Sequence, residues 1–236
     1  MKVSKIIFFS AIVLLIFYTT FLKSQNLTKD RDNENIVMLE GFADASWGNS
    51  YESLREKFLS LATNPDSTEK IELMNETKDR MLLVRRNGIL YYYRFYKTPD
   101  LVKDARGKRG GSRESDPTID GATEFRQNGI LFSVGVVFNL VPTPDIRTKL
   151  ESKYGKPKKE TTGDDKLSGA VLWEFVDSRD AIPRGGYIVQ WKEAYKKNAY
   201  SRRIDYYSAT IKDMIGKEYK EYFSAQETKT LRDIID

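Results

Sequence analysis

Cysteine and histidine are both absent from this chain of 236 residues. Without cysteine there is no disulfide bridge and no thiol to acylate, so an acylated lipoprotein is excluded and core packing must stabilise the fold. Without histidine the Ser-His-Asp and Cys-His systems and the usual zinc ligand sets are excluded. An enzyme on this chain would have to use carboxylates, Lys, Tyr or Ser-Lys chemistry. No catalytic, cofactor or metal-binding motif stands out, so we predict none of these sites.

A strong excess of charge of one sign is also lacking. The formal net charge is +5, and three of the lysines lie in the first 24 residues, so removal of that segment would leave +2. This is not the balance of a nucleic-acid-binding protein. Charged residues make up 31% of the chain with both signs mixed, which predicts a well-solvated surface and no second membrane segment.

The first 24 residues have the order of charge and polarity typical of a secretory signal peptide. Lys2 and Lys5 precede an apolar run from Ile6 to Tyr18, and polar sequence begins at Lys23. The run is long for a signal peptide and short for a spanning helix, so an uncleaved anchor is the alternative. Cleavage after Ser24 would place the protein in the periplasm or otherwise outside the cytoplasm. Residues 25–40 are predicted to be a flexible lead-in.

Helices and several hairpins are predicted in the rest of the chain. Apolar residues at helical spacing predict a helix from Tyr51 that Asn49 caps, and a second helix that Thr143 caps, with Pro144 at its first position, and that closes at Gly155. Asn-Gly between extended runs favours two-residue type I′ turns, at Asn87-Gly88 and at Asn128-Gly129. The two turns lie in similar heptapeptides, which either reflect a duplication or are two independent hairpins.

Alternating patterns predict strands with one face on a core. The sets expected to share a face are Ile89, Tyr91, Tyr93 and Phe95; Ile130, Phe132, Val134, Val136, Phe138 and Leu140; Val171, Trp173 and Phe175; and Tyr187, Val189 and Trp191. A further strand runs over 201–207 and a terminal helix starts at Thr210. We therefore predict one α+β domain over 41–236, an antiparallel sheet of hairpins with packed helices, in which 41–141 and 142–236 are candidates for two related halves.

Two regions are candidate partner-binding sites. One is the Gly-rich connection 98–121, whose basic residues are Lys103, Arg106, Lys108, Arg109 and Arg113. It either contacts an acidic protein, a polyanion or phosphate, or is a solvated loop. The other is the strand side that carries Tyr92, Arg94 and Tyr96, where exposed Tyr and Arg are typical of a protein contact unless a helix covers them. A basic and aromatic hairpin tip at 192–203 is a weaker candidate of the same kind.

Acidic pairs are the remaining raw material for catalysis. Asp164 with Asp165, and Asp177 with Asp180, lie in polar turns, where such residues usually stabilise the turn. A carboxylate hydrolase would need two acids that face each other across a cleft, which adjacent turn residues do not provide.

The helix boundaries carry a resemblance to known proteins. Trp47-Gly48-Asn49-Ser50 at one helix start, and Tyr154-Gly155-Lys156-Pro157 before the strand that contains Trp173, resemble small exported α+β domains of bacterial envelopes over about residues 41–212. The Lys-rich, Tyr-rich, Cys-free composition is also similar to that of spirochaete periplasmic flagellar sheath or coiling proteins. This resemblance implies a structural role on a filament, with an effect on motility.

The sequence therefore predicts a non-enzymatic exported protein that binds other envelope or filament proteins and no nucleic acid. The first alternative is a soluble envelope protein that binds a polyanion or a small ligand through the basic connection. A carboxylate-dependent hydrolase is the second alternative.

Overall fold

An antiparallel sheet of eight strands organises the described part of the chain. The structure, a computed structural model, describes residues 27–29, 37–64, 69–98, 128–177, 179, 182–218 and 220. Its large antiparallel sheet and its helices confirm the predicted α+β class. The predicted leader, most of the lead-in, the basic connection beyond Thr98 and residues 221–236 lie outside the described residues.

The described elements are three helices and twelve strands. The helices are α1 (Tyr51–Thr63), α2 (Thr143–Tyr154) and α3, which covers residues 209–218 and 220. The strands are β1 (Leu27–Lys29), β2 (Val37–Leu39), β3 (Gly41–Phe42), β4 (Ala45–Ser46), β5 (Ile71–Thr77), β6 (Met81–Arg86), β7 (Ile89–Tyr96), β8 (Ile130–Pro142), β9 (Lys159–Thr162), β10 (Gly169–Asp177), β11 (Arg184–Tyr195) and β12 (Asn198–Ser208).

The large sheet consists of two four-stranded meanders that meet in the middle. Its strand order is β5-β6-β7-β8-β12-β11-β10-β9, and β1-β2 and β3-β4 form two small separate pairs. Helix α1 precedes the first meander in the chain and α2 precedes the second. Because β8 pairs with β12, the last strands of the two meanders are neighbours and the sheet is continuous.

Both long helices begin close to the predicted residues, but with different caps. Ser50, not Asn49, is the N-cap of α1, and its hydroxyl accepts a hydrogen bond from the Ser53 N–H at 3.2 Å. The Asn49 side chain instead accepts from the Ser46 N–H in the preceding turn. The predicted cap of α2 at Thr143 is wrong, because the N-cap is Pro142, which has no side-chain acceptor, and Thr143 is the first helical residue, with its hydroxyl 3.2 Å from that of Ser201.

Of the two predicted Asn-Gly turns, one is confirmed and the other is wrong. Asn87 and Gly88 have φ of 49° and 84° and join β6 to β7 as a two-residue hairpin, as a type I′ turn requires. Gly129 is not among the residues with positive φ. It is instead packed against the turn at Asp79, where a Cβ on Gly129 would come 2.4 Å from the Asp79 carbonyl oxygen.

The core lies between one face of the sheet and helices α1 and α2. A row of buried side chains crosses six strands on this inner face, each pairing with the next: Leu82, Tyr93, Val134, Tyr206, Ile188 and Trp173. The α1 side contributes Phe58, whose ring centroid is 4.7 Å from that of Tyr93. The α2 side contributes Tyr154, whose ring centroid is 5.5 Å from that of Phe175.

The predicted inner faces hold for β7 and β10, and only in part for β8. The register shifts between Arg94 and Phe95, where β7 pairs with β8. This bulge turns Ile130 and Phe132 away from the core and puts Leu131 into it. In β11 the predicted set of Tyr187, Val189 and Trp191 does share a face, but it is the outer one, because Ile188, Gln190 and Lys192 are the buried residues.

Candidate partner-binding face

The side of the large sheet opposite α1 and α2 is the candidate site, and we call it the outer face. Directly paired residues of antiparallel strands point to the same side, so the register defines its members. Its central residues on β7, β8, β12 and β11 are Leu90, Tyr92, Arg94, Ser133, Gly135, Val137, Arg203, Asp205, Tyr207, Tyr187, Val189 and Trp191. In the described part of the chain, α3 is the helix that packs on this side, and it covers one end.

A buried carboxylate holds the middle of the outer face together. Asp205 is fully buried and accepts three side-chain hydrogen bonds, from Trp191 Nε1 at 2.6 Å, Arg203 Nε at 2.8 Å and the Tyr207 hydroxyl at 3.2 Å. Three donors and the Arg203 charge compensate the burial of the carboxylate. Asp205 therefore fixes an indole, a guanidinium and a phenol in one arrangement.

The chain makes room for this carboxylate with a glycine. Gly135 on β8 lies between Tyr92 and Asp205 in one cross-strand row. A Cβ at Gly135 would come 2.8 Å from Asp205 Oδ1, closer than side-chain atoms normally approach. Burial, reinforced by the neighbouring Asp205 charge, raises the pKa of the Tyr207 hydroxyl, which keeps it protonated as a donor.

The three predicted strand residues lie on the same side of the sheet, but one of them is covered. Tyr92 and Arg94 are half-buried and point to the same side as Asp205. Tyr96 is 4% exposed, because α3 packs over it and encloses it in a small apolar cluster with Ile130 and Ile211. Its hydroxyl donates a hydrogen bond to Glu218 of α3. The expectation that Tyr96 is an exposed anchor is therefore corrected.

Helix α3 borders the outer face and adds a cation to it. Its Lys212 ammonium lies 4.8 Å from the Tyr187 ring centroid and 5.9 Å from the Tyr207 ring centroid. Both distances are within the range of a cation–π interaction. This end of the face is therefore aromatic beneath and positively charged above.

The other two predicted regions are the basic connection and the hairpin tip. The five basic residues of the connection, Lys103, Arg106, Lys108, Arg109 and Arg113, lie outside the described residues. The hairpin tip does not form one patch, because Lys192 is buried and bound to Glu160 at 2.7 Å while Arg203 belongs to the outer face. Tyr195 remains at the tip, 47% exposed, with its ring 5.9 Å from that of Tyr200.

In the two predicted acidic pairs, the described hydrogen bonds of Asp165 and Asp177 are made to residues two or three positions away. Asp165 accepts hydrogen bonds from the Leu167 and Ser168 N–H groups and closes a turn. Asp177 accepts from the side chain and the backbone of Arg179, and these bonds lower the pKa of Asp177 to about 2. Its predicted partner Asp180 lies outside the described residues. Among the residues that are described, no three acidic side chains are grouped as a metal site would need.

A separate pocket opens at the end of the sheet where α3 begins. It has a volume of about 610 Å³ and is lined by Trp47, Ile211 and Met214 on its apolar side and by Glu40 and Arg184 on its polar side. The Arg184 guanidinium lies 3.5 Å from Asp177, so its charge is already engaged.

Sequence reasoning did not single out Asp205, Tyr207, Trp191 and Lys212 as site residues. A signal for part of this set was present, because Arg203, Asp205 and Tyr207 alternate along one strand. Their convergence with β7 and α3 depends on pairings between distant segments, which alternation within one strand does not reveal.

The chain matches no protein family, no curated protein and no solved structure. No helix within the described ranges has both the length and the apolar character needed to cross a membrane.

Proposed function

We propose that this protein is a non-enzymatic exported protein that binds another envelope protein through the outer face of its sheet. The observation that carries the proposal is the fixed group of Trp191, Arg203 and Tyr207 around Asp205, next to Tyr92. Trp, Tyr and Arg are the residues that contribute most to protein interfaces. Side chains already held in one rotamer lose little conformational entropy when a partner binds.

The apolar members of the face support a protein partner. Leu90, Val137 and Val189 alternate with the aromatic residues, and Trp191 is 41% exposed. Apolar and aromatic surface at the centre, with charged groups at the edge, is the usual anatomy of a protein interface.

The test compares two tyrosine variants of the exported protein. Tyr92→Ala removes a ring from the outer face, and Tyr195→Ala removes an exposed ring from the hairpin tip. We expect Tyr92→Ala to leave the native complex while Tyr195→Ala stays in it, as measured by co-sedimentation, with circular dichroism to confirm that both fold. If both variants co-sediment like the wild type, the outer face is not the interface.

We also propose that the complex is a periplasmic assembly such as a flagellar filament sheath. The support is the leader pattern of residues 1–24 and the Lys-rich, Tyr-rich, Cys-free composition, which resembles that of sheath or coiling proteins. N-terminal sequencing of the native protein should begin near Gln25 in the periplasmic fraction, and the isolated complex should contain filament proteins. A cytosolic species that begins at Met1 would contradict this proposal.

The topology supports a further proposal, that 41–141 and 142–236 are two related halves. Each contains one helix followed by a four-stranded meander. The similar heptapeptides around Asn87 and Asn128 do not support it, because both lie in the first half, at the starts of β7 and β8. An experimental structure in which the two helix-and-meander units do not superpose would exclude the relationship.

A further inference from the structure

We infer that the α3 end of the outer face is a carboxylate-binding subsite, formed by Arg94 and Lys212 over Ser133 and Tyr207, and that the partner presents an acidic side chain to it. The inference rests on the proposed function, because it specifies the chemistry of the partner that binds the outer face.

Two cations at this end have no carboxylate of their own in the described chain. Arg94 is half-buried on β7, and its charge acts on the Tyr207 hydroxyl, but no acidic group within the described ranges forms an ion pair with it. Lys212 is exposed, its ammonium lies over the rings of Tyr187 and Tyr207, and no acidic group within the described ranges forms an ion pair with it. Most other arginines of the described sheet have an acidic partner, for example Arg203 with Asp205 at 2.8 Å.

A buried hydroxyl without a partner lies between these cations. Ser133 is paired on one side with Arg94 and on the other with Tyr207, so its side chain lies between theirs on the outer face. It is fully buried, and its Oγ forms no hydrogen bond to any described group. A buried hydroxyl in this state costs free energy in the unbound protein, and a bound carboxylate oxygen would accept its hydrogen.

The acidic groups nearby are mostly engaged elsewhere. Asp205 already has its three donors, Asp213 is bound to Lys217 at 2.8 Å, and Glu218 accepts from Tyr96. Glu174 is exposed at the far end of the same cross-strand row, beyond Tyr187. It reduces the positive potential at Lys212 more than at Arg94, so Arg94 is the principal anchor.

Charge complementarity therefore favours an acidic protein segment with apolar neighbours. The carboxylate would bind between Arg94 and Lys212, and the flanking apolar residues would lie against Tyr92, Val137 and Val189. A guanidinium binds a carboxylate in a bidentate manner, which an ammonium cannot do, so the arginine should not be fully replaceable by lysine.

The experiment measures binding of the full-length exported protein to its stripped native assembly. We expect Arg94→Ala to weaken binding by at least about tenfold and Arg94→Lys to restore only part of it. Lys212→Ala should weaken binding less, and the matched control Lys220→Ala, an exposed lysine on the same helix, should bind like the wild type. Each effective charge removal should also reduce the dependence of binding on salt.

Ser133→Ala separates binding from folding. Removal of an unpartnered buried hydroxyl should leave thermal stability unchanged or raise it, whereas binding should weaken. A purely structural serine would move both quantities in the same direction, and that result would overturn the role assigned to Ser133.

Treatment of the stripped assembly identifies the anion. Conversion of its carboxylates to amides with a carbodiimide and glycinamide should abolish binding, and phosphatase treatment should have no effect. Loss of binding after phosphatase alone would replace the carboxylate with a phosphate and overturn the inference. If the Tyr92→Ala variant dissociates from the assembly but the Arg94→Ala and Lys212→Ala variants do not, the assignment of the subsite is wrong, whereas the assignment of the binding face is kept. If none is released, the binding face itself is wrong.

Discussion

Glycine is required for two different reasons at Gly88 and Gly129, and substitutions at these two positions distinguish the reasons. Gly88 has φ of 84° with open space around its Cα, so Gly88→Ala should cost about 1 kcal/mol through backbone strain, and Gly88→Asn less. Gly129→Ala should cost more, about 2–3 kcal/mol, because its Cβ would meet the Asp79 backbone. Denaturant midpoints of the three variants measure these costs. A Gly129→Ala variant as stable as the wild type would show that the Asp79 turn adjusts without cost.

The contrast between these glycines shows how far single residues can be predicted. Asn87-Gly88 determines its own conformation, because both residues readily take positive φ and the flanking strands need a two-residue connection. Asn128-Gly129 has the same dipeptide, but its glycine is required by a turn about fifty residues earlier, at Asp79. The local sequence therefore predicts the turn at Gly88, but it contains no information on the contact between Gly129 and the Asp79 turn.

Asp177 should make the protein sensitive to acid. Its side chain is 2% exposed and is bound to Arg179 at 2.6 Å, and the Arg179 hydrogen bonds lower its pKa to about 2, below the ordinary value of 3.8. The charged form is therefore favoured by folding, so its contribution is complete above about pH 4 and is lost as the pH falls toward 2. Thermal melting of wild type and Asp177→Asn over this range tests the point. The wild type should have a higher melting temperature than Asp177→Asn at pH 6, and this difference should decrease as the pH falls. A difference that stays constant over the range would contradict the role of Asp177.

At the scale of elements, α3 should be held by a small apolar cluster. Ile211 is 7% exposed and packs with Tyr96 and Ile130. Ile211→Ala should weaken this docking by about 2–4 kcal/mol, and amide hydrogen exchange over 209–218 should accelerate accordingly. Lys217→Ala is the control, because its exposed pair with Asp213 contributes only a few tenths of a kcal/mol. Equal protection of α3 in both variants would show that other contacts hold the helix.

Strand faces were predictable where alternation continues without interruption. It does so through β10 and β7, whereas in β8 the extra residue Phe132 at the bulge exchanges the faces, so that Leu131 enters the core and Ile130 leaves it. In β11 the inner face carries Gln190 and Lys192, whose polar groups bind Ser201 and Glu160. In the sequence, a strand face with polar side chains is read as solvent-exposed, although here distant residues supply their hydrogen-bonding and ionic partners. For that reason the outward position of Trp191 was not predicted.

At the scale of the whole molecule, the pairing of β8 with β12 determines what the protein can do. This pairing joins the two meanders and brings Tyr92 and Arg94 into rows with Asp205 and Tyr207. The residues involved are more than a hundred positions apart in the chain. The sequence predicted β7, β8, β10, β11 and β12 and the α+β class, but the outer face exists only after this long-range pairing, so its membership could not be derived from any one segment.

A continuous sheet predicts that both halves unfold together. The chain has three tryptophans, and Trp47→Phe leaves Trp173 and Trp191, which report only on the second meander. In this background Leu82→Ala removes a fully buried side chain from β6 of the first meander and should cost about 2–5 kcal/mol. Urea unfolding is followed by tryptophan fluorescence and by circular dichroism.

Because β8 and β12 share a ladder and both meanders contribute to one core, loss of stability in β6 must reach Trp173. The two probes should therefore give coincident transitions, and Leu82→Ala should lower both midpoints equally, as expected for two-state unfolding. Leu150→Ala, on α2, is the matched change in the second half and should have the same effect on both probes. If Leu82→Ala lowered the dichroism midpoint but left the fluorescence midpoint in place, residues 41–141 and 142–236 would be separate folding units, and the outer face would cross a domain boundary.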